Sequence, residues 1–327
     1  EMCIRDSERI NPAFANDPEV VRNIENDPNF IRSLIRAERD QPHEELYELD
    51  IPAAANVDVD CIRYSVDFIE RMAKEDKPWF LYHSFGKLHY DNCAADGFRG
   101  SSSAKTPYKD AVVEVDALVG RVLDALEKSG QTDETLIFFT SDNGPEEDTW
   151  PDAGHTPFRG AKSTTWEGGV RVPGIARWPG IIQSGRVSDG LFDLADLFTT
   201  CAAVGGAVIP DERYIDGIDQ TSFLLSDNGL SNREAVYYYM GNTFSAMRVG
   251  PFKFHRYIAK ATSRDGIPGF LNGSTLEKTF GLYAFNLYLD PKERRPNGIR
   301  TAIQLKRFVS LETRHLNTFK EEISSAE

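Results

Sequence analysis

The sequence contains no apolar run approaching the length of a bilayer-spanning helix, which excludes such a helix from these residues. Positive charge is scarce. Against 51 Asp and Glu stand only 37 Lys and Arg, a formal net charge of −14, which argues against non-specific binding to nucleic acid or anionic membranes. That balance leaves room for a local positive pocket for an anion. Cysteine is scarce too. Cys3, Cys61, Cys93 and Cys201 are scattered, with no C-x-x-C and no zinc spacing. Each reads most simply as a small buried apolar residue, and the redox compartment stays open. The chain begins Glu1-Met2-Cys3-Ile4-Arg5-Asp6-Ser7, without a signal-peptide pattern, and this heptapeptide resembles translated adapter sequence from environmental sequencing. The expectation is of a chain that starts earlier, so the missing leader does not bear on location. What remains is ordinary globular composition, 40% hydrophobic and 27% charged over 327 residues, enough for one large domain or a domain with an appendage.

Asn16-Asp17-Pro18 and Asn26-Asp27-Pro28 each read as a helix start, predicting two short helices. Val59, Ile62, Val66, Ile69 and Ala73 recur at steps of three and four, predicting an amphipathic helix over 58–74. Trp79 to Phe85 reads as a strand, and 88–103 as loop. The clearest helix is 110–129, with Val112, Val115, Val119, Val122, Leu123 and Leu126 on one face and Gly130 as its stop. Thr135 to Thr140 is nearly continuous apolar, as in a strand buried on both faces of a parallel sheet. Strand, crossover helix and strand make a βαβ unit. Residues 170–178 read as a further strand and 192–204 as a helix ending at Gly205-Gly206. From Arg233 the texture changes to short aromatic strands, 235–240, 244–249 and 252–257, separated by Gly241-Asn242 and Gly250-Pro251. Residues 299–322 read as a charged surface helix. The expected organisation is an α/β core over 1–232, mostly parallel sheet flanked by helices, and a C-terminal α+β subdomain over 233–327 carrying a small antiparallel sheet.

Three places carry residues that do chemistry. In "FFTSDNGPEED", residues 138–148, an apolar run stops at Asp142-Asn143-Gly144-Pro145. The carboxylate and amide are hard oxygen ligands suited to Ca²⁺ or Mg²⁺, placed where open α/β sheets put ligands. On these residues alone a tight turn is the simpler reading. His89, a few residues past the 79–85 segment, would open into the same crevice and can donate a proton to a leaving group. Alone it is more often a loop histidine bonded to backbone. Lys162 lies among glycine and small residues that let backbone and ammonium approach an anion; taken singly it is a solvated surface lysine.

Together these stretches carry a family resemblance. "FFTSDNGPEED…GHTPFRGAKSTTWEGGVRVPGIARWPG", residues 138–180, resembles the second half of a sulfatase core of the arylsulfatase type, in the alkaline phosphatase superfamily. "KPWFLYHSFGKLHYDN" is similar to the strand and loop bearing that family's active-site histidine, and "YKDAVVEVDALVGRVLDALEKSGQTDETLIFFTSDNG" to its helix-to-strand crossover. "DGIDQTSFLL", "AMRVGPFKFH" and "FNLYLDPKE" are similar to its C-terminal subdomain. The resemblance covers roughly 58–295. It implies a calcium-assisted sulfuric ester hydrolase, with a formylglycine nucleophile, acting on a sulfated small molecule or glycan in the periplasm or outside the cell. It makes Asp142 and Asn143 late calcium ligands, His89 the histidine near the bridging ester oxygen, and Lys162 a sulfate contact.

The resemblance is partial. The family makes formylglycine from a Cys or Ser in C/S-x-P/A-x-R, and none of the four cysteines has that context. The family's paired early aspartates and its earlier lysine and histidine are missing as well. Two ligands do not fill a calcium shell of about six to eight oxygens. The expectation is a chain that, made alone, is inactive on sulfate esters, binds calcium weakly and exposes a sheet edge. Two other readings stay open. A phosphatase or phosphodiesterase of the same superfamily would expect Asp-His in place of Asp142-Asn143, since Asn suits zinc poorly. A non-catalytic chain could keep the fold to bind a sulfated glycan.

Overall fold

The computed structural model describes residues 33–89, 93–147, 152–210, 212, 214–226, 229–261 and 274–325. The two short helices expected at Asp17-Pro18 and Asp27-Pro28 lie outside them. The chain divides into two compact units: Glu1–Thr132 with Thr149–Gly154, and Asp133–Asp148 with His155–Glu327. Among the described residues no helix is long and apolar enough to cross a membrane.

In the first unit, β1 (Ser33–Arg36) and β2 (Glu44–Glu48) form an antiparallel hairpin that the sequence reading did not anticipate. Helix α1 (Ile51–Met72) follows and starts seven residues ahead of the periodic stretch, because Asp50 caps it: its carboxylate accepts the Ala53 N–H at 2.8 Å, and Pro52 sits in the first turn. Leu34, Leu49 and Val57 pack into a small apolar cluster. Segment 79–85, predicted as a strand, has no ladder among the described residues; an aromatic run favours extended backbone, but only a hydrogen-bonded neighbour makes it a strand.

Helix α2 (Pro107–Lys128) ends before Gly130, whose φ of 72° is the left-handed stop the sequence announced. Its buried face differs from the predicted valine stripe. Ala111, Val115, Leu118, Ala125 and Leu126 are buried together with Asp110 and Glu114, whereas Val112 and Leu123 are exposed. The two acids explain the rotation. Asp110 accepts the backbone N–H groups of Gly100 and Ser102 at 2.6 and 2.8 Å, and Glu114 accepts that of Ala95 at 2.8 Å. The loop over 94–102 thus satisfies its donors on the helix, and bonds from Ser102 hydroxyl and backbone hold Asp110 below the usual carboxylate range.

In the second unit, β3 (Ile137–Thr140) pairs antiparallel with β4 (Gly174–Arg177), in register from Ile137↔Arg177 to Thr140↔Gly174. Every pairing among the described residues is antiparallel. The expected parallel partner is not among them, and Phe139 is 38% exposed where burial on both faces was expected. An apolar run fixes burial tendency, not the direction of its neighbour. The predicted strand over 170–178 opens instead on the last residue of a helical turn, α3 (Glu167–Val170). Helices α4 (Ala195–Val204) and α5 (Thr221–Leu225) follow, the former stopping at Gly205.

The C-terminal meander is as read, and longer. Strands β5 (Ala235–Met240), β6 (Thr243–Val249), β7 (Phe252–Ala261) and β8 (Ser274–Asn286) form one antiparallel sheet in chain order. Strand β8 escaped the sequence reading: its opening residues, Ser274 to Lys278, are polar apart from Leu276, and among its described residues Ala284 and Phe285 alone are fully buried. After a helical turn, α6 (Gly298–Thr301), helix α7 (Leu305–Ser325) lays Phe308 and Leu311 on the sheet against Phe254 and Met247. The charged surface helix is therefore amphipathic and docked.

Candidate functional site

Strand β3 delivers Ser141 to Glu146 into a turn stitched by its own side chains. Asp142 Oδ1 accepts the Asn143 N–H at 2.8 Å, the Ser141 hydroxyl donates to the Asn143 carbonyl at 3.2 Å, and Asn143 Nδ2 donates to the Gly144 carbonyl at 2.9 Å. Asp142 is exposed and Asn143 half-buried. Gly144 is needed for contact rather than for turning. Its N–H donates to the Gly169 carbonyl at 3.0 Å, and a Cβ there would stand 1.8 Å from the Gly168 carbonyl oxygen. Two backbones cross at a distance only glycine allows.

The crossing chain is the one that carries Lys162. From Arg159 to Gly169 it folds back on itself: Gly168 N–H donates to the Arg159 carbonyl at 2.7 Å, and a Cβ on Gly168 would meet the Gly160 carbonyl at 2.1 Å. Gly160 and Ser163 take φ of 77° and 68° to make the loop. Lys162 grips the turn twice. Its backbone N–H donates to the Pro145 carbonyl and its Nζ pairs with Glu146 Oε2, both at 2.9 Å, with the side chains 20% and 8% exposed. The structure thus brings Lys162 onto the turn that bears Asp142 and Asn143.

Both ends of the Lys162 loop are held by the C-terminal part of the chain, the meander and the turn after it. At one end, the Arg159 guanidinium lies 3.7 Å from the centre of the fully buried Trp166 ring and donates to the Glu293 carbonyl at 2.8 Å. At the other end, Glu167 takes Lys253 Nζ at 2.9 Å and Arg248 at 3.2 Å on its carboxylate, and gives its backbone N–H to Glu293 Oε2 at 2.6 Å. Lys253, His255 and Glu293 are all fully buried. Burial alone would raise the Glu293 pKa, but Lys253 and the His255 bond hold it below the ordinary range. His255 is pushed the other way, towards neutrality, because its burial outweighs the pull of Glu293 at 2.8 Å. A neutral ring donating from Nε2 to that carboxylate fits both shifts.

His89 belongs to the first unit. It is exposed, and its N–H closes a turn onto the Gly86 carbonyl at 3.4 Å. Buried Asp58 fixes that turn, accepting the N–H groups of Gly86 and Lys87 at 2.8 and 3.0 Å. Lys87 Nζ reaches the Ala55 carbonyl at 2.9 Å and Glu114 at 3.0 Å. The buried acids of α1 and α2 therefore present the loop on which His89 stands.

As a metal donor set, Asp142 and Asn143 fit a hard cation by chemistry: a carboxylate, and an amide whose nitrogen is already used, leaving its oxygen as ligand atom. Among the described residues no group of three or more His, Cys, Asp or Glu is placed to hold a metal. Sequence reasoning missed Glu146, though it stands in the same motif, and missed the Glu167–Lys253–Glu293–His255 group. One signal was available: Lys253 and His255 interrupt an aromatic strand, Phe252-Lys253-Phe254-His255, where a charge needs a buried partner.

Residues 18–207 match the family model described as sulfatase, and residues 245–320 match that of the putative sulfatase AslA C-terminal domain. An N-acetylgalactosamine-6-sulfatase of Canis lupus familiaris is 38% identical over 255 residues, covering 74% of this chain and 48% of that protein. A steryl-sulfatase of Rattus norvegicus is 38% identical over 191 residues, covering 57% of this chain and 33% of the relative. Among solved structures, the PsFucS1 sulfatase from Pseudoalteromonas sp. superposes with a TM-score of 0.87 at 38% identity, over 94% of this chain and 61% of that one. The chain spans about half the length of the curated relatives it matches.

Proposed function

The chain belongs to the sulfatase family, and we propose that its activity is the hydrolysis of a sulfate ester, with Lys162 as sulfate contact, His89 as proton donor and Asp142 and Asn143 as calcium ligands. The observation that carries this reading is the double grip of Lys162 on the turn after β3, through Pro145 and Glu146. A flexible surface lysine would not be tied by backbone and side chain to the residues that follow two oxygen donors.

Cleaving a sulfate ester breaks the bond from sulfur to the bridging oxygen and leaves that oxygen needing a proton. Lys162, held by a loop anchored at Arg159 and Glu167, places positive charge where negative charge grows on the sulfuryl oxygens. His89, on a turn fixed by Asp58, donates the proton to the departing alkoxide or phenoxide. Asp142 and Asn143 would hold Ca²⁺ as two of its ligands; the ion, when bound, would neutralise sulfate oxygens and acidify the attacking hydroxyl. The family's formylglycine requires a C/S-x-P/A-x-R stretch, which these 327 residues do not contain. The roles assigned to this chain are therefore binding, charge neutralisation and proton donation.

The same reading extends to a mostly parallel core sheet over 1–232, a C-terminal subdomain over 233–327, and a periplasmic or secreted setting. Relatives named for a sulfated sugar and a sulfated steroid point to a sulfated glycan or a sulfated small molecule as substrate. The test is binding of an aryl sulfate to the 327-residue chain and to its Lys162→Ala variant. Loss of one charge-assisted hydrogen bond, about 1.5–3 kcal/mol, weakens binding by roughly tenfold or more. Equal binding by the two proteins refutes the reading.

A further inference from the structure

Glu146 has no role in the proposed reaction, yet its carboxylate pairs with the Lys162 ammonium. Its Oε2 stands 2.9 Å from Nζ, and its carboxylate is 8% exposed. The same short segment takes the Lys162 backbone N–H through the Pro145 carbonyl. The ammonium and the carboxylate therefore form a fixed ion pair, set by the backbone crossing at Gly144 and by the anchored ends of the Lys162 loop.

We propose that Glu146 is a positioning and specificity-determining residue, which aims the Lys162 ammonium and biases the anion pocket towards the single negative charge of a sulfate monoester over the two charges of a phosphate monoester. This proposal rests on the reading of Lys162 as the sulfate contact. An anion oxygen bonded to Nζ lies about 2.8 Å from it. It therefore lies no further than roughly 6 Å from Glu146 Oε2, given the 2.9 Å ion pair. At such a distance a second unit of negative charge is repelled by the carboxylate, and with the effective screening near a protein surface the penalty amounts to about tenfold in affinity or more. A monoanion meets only the first unit of that repulsion and keeps the full hydrogen-bonding benefit of the oriented ammonium. A lysine without the carboxylate would favour the dianion.

The pair also explains why sequence reading passed over Glu146. In "DNGPEED" three acids follow one another, and a run of acids reads as a solvated face. It is the fold that places Lys162 beside the first of them.

The experiment compares phenyl sulfate, a monoanion, with phenyl phosphate, a dianion at pH 8, by ligand-observed NMR titration on the whole 327-residue chain. The parent binds phenyl sulfate in preference. Glu146→Gln, which keeps size and shape, moves the ratio of the two affinities about tenfold towards phenyl phosphate. Glu146→Asp keeps the charge and retains most of the parent preference. Thermal melts of each variant establish that the fold is kept, and a general loss of structure would weaken both ligands alike without changing their ratio. An unchanged ratio in Glu146→Gln, with both esters still bound and Lys162→Ala abolishing binding, overturns the role of Glu146 and leaves the Lys162 reading standing. Binding that Lys162→Ala does not weaken overturns the Lys162 reading instead. Absence of phenyl sulfate binding to the parent overturns both.

Discussion

Lys253→Met removes the only lysine of the buried charge group while keeping chain length and most of the volume. In the parent, Lys253 is fully buried, 2.9 Å from Glu167 Oε1 and 3.7 Å from Glu293 Oε1, with its ammonium 4.7 Å from the Tyr238 ring centre. Removing one partner of a buried pair costs about 3–5 kcal/mol, because the other charge stays in a medium that cannot solvate it. Here Glu167 keeps Arg248 at 3.2 Å and Glu293 keeps His255 at 2.8 Å, so the low end applies, about 3 kcal/mol. For a unit of this size each kcal/mol lowers Tm by about 2–4 °C, so the expected fall is roughly 6–12 °C. The loss should be local as well as global. Hydrogen exchange of 159–169, the loop that Glu167 anchors, should speed up more than that of the β5–β6 hairpin. Adding Glu167→Gln to Lys253→Met should deepen the loss rather than recover it, since the Arg248 guanidinium, 3.2 Å from Glu167, then loses its carboxylate. A Lys253→Met protein melting within about 2 °C of the parent, with unchanged exchange over 159–169, would refute the claim that the meander holds the Lys162 loop by charge.

Gly144→Ala should destabilise by about 1–3 kcal/mol or more, because its Cβ meets the Gly168 carbonyl at 1.8 Å. Gly120→Ala in α2, where a Cβ meets nothing within 4 Å, should instead stabilise by about 0.5–1 kcal/mol; chemical denaturation of the pair checks the contrast. His83, His255 and His315 all have pKa values lowered by burial, so the unfolded chain binds more protons as pH falls below about 6.5. Their stabilisation is therefore full above that pH and is lost on acidification, with Glu293 and Asp196, both lowered, extending the loss below about pH 4. Melting curves from pH 7.5 to 5 should show Tm falling with acid, and a Tm rising over that range would contradict the assignment. On a chromogenic aryl sulfate, the 327-residue chain should show no turnover above a His89→Ala, Lys162→Ala control, and clear excess turnover would place a nucleophile within these residues.

Local patterns in this protein were legible because their causes are local. Gly130 after a valine-rich periodic stretch gave the end of α2, and Gly241 and Gly250 between aromatic runs gave the turns of the meander, because backbone conformation and short-range periodicity are written within a few residues. The family motif likewise brought Asp142, Asn143 and Lys162 forward as candidates, and two of those stretches do meet, at the Gly144 crossing. What lay beyond the sequence were the long-range partners. The face of α2 turned because Asp110 and Glu114 serve N–H groups of a loop, and β3 found an antiparallel neighbour in Gly174–Arg177.

Glu167 meets Lys253 across 86 positions and Glu293 across 126, separations over which no periodicity carries information. The residue types alone determined which atoms could bind a sulfate, hold a hard cation or give up a proton. Tertiary structure decided that Glu146 stands against Lys162 and that the meander grips its loop, because pairing buried charges depends on where distant segments cross, and that crossing is set by packing of the whole unit.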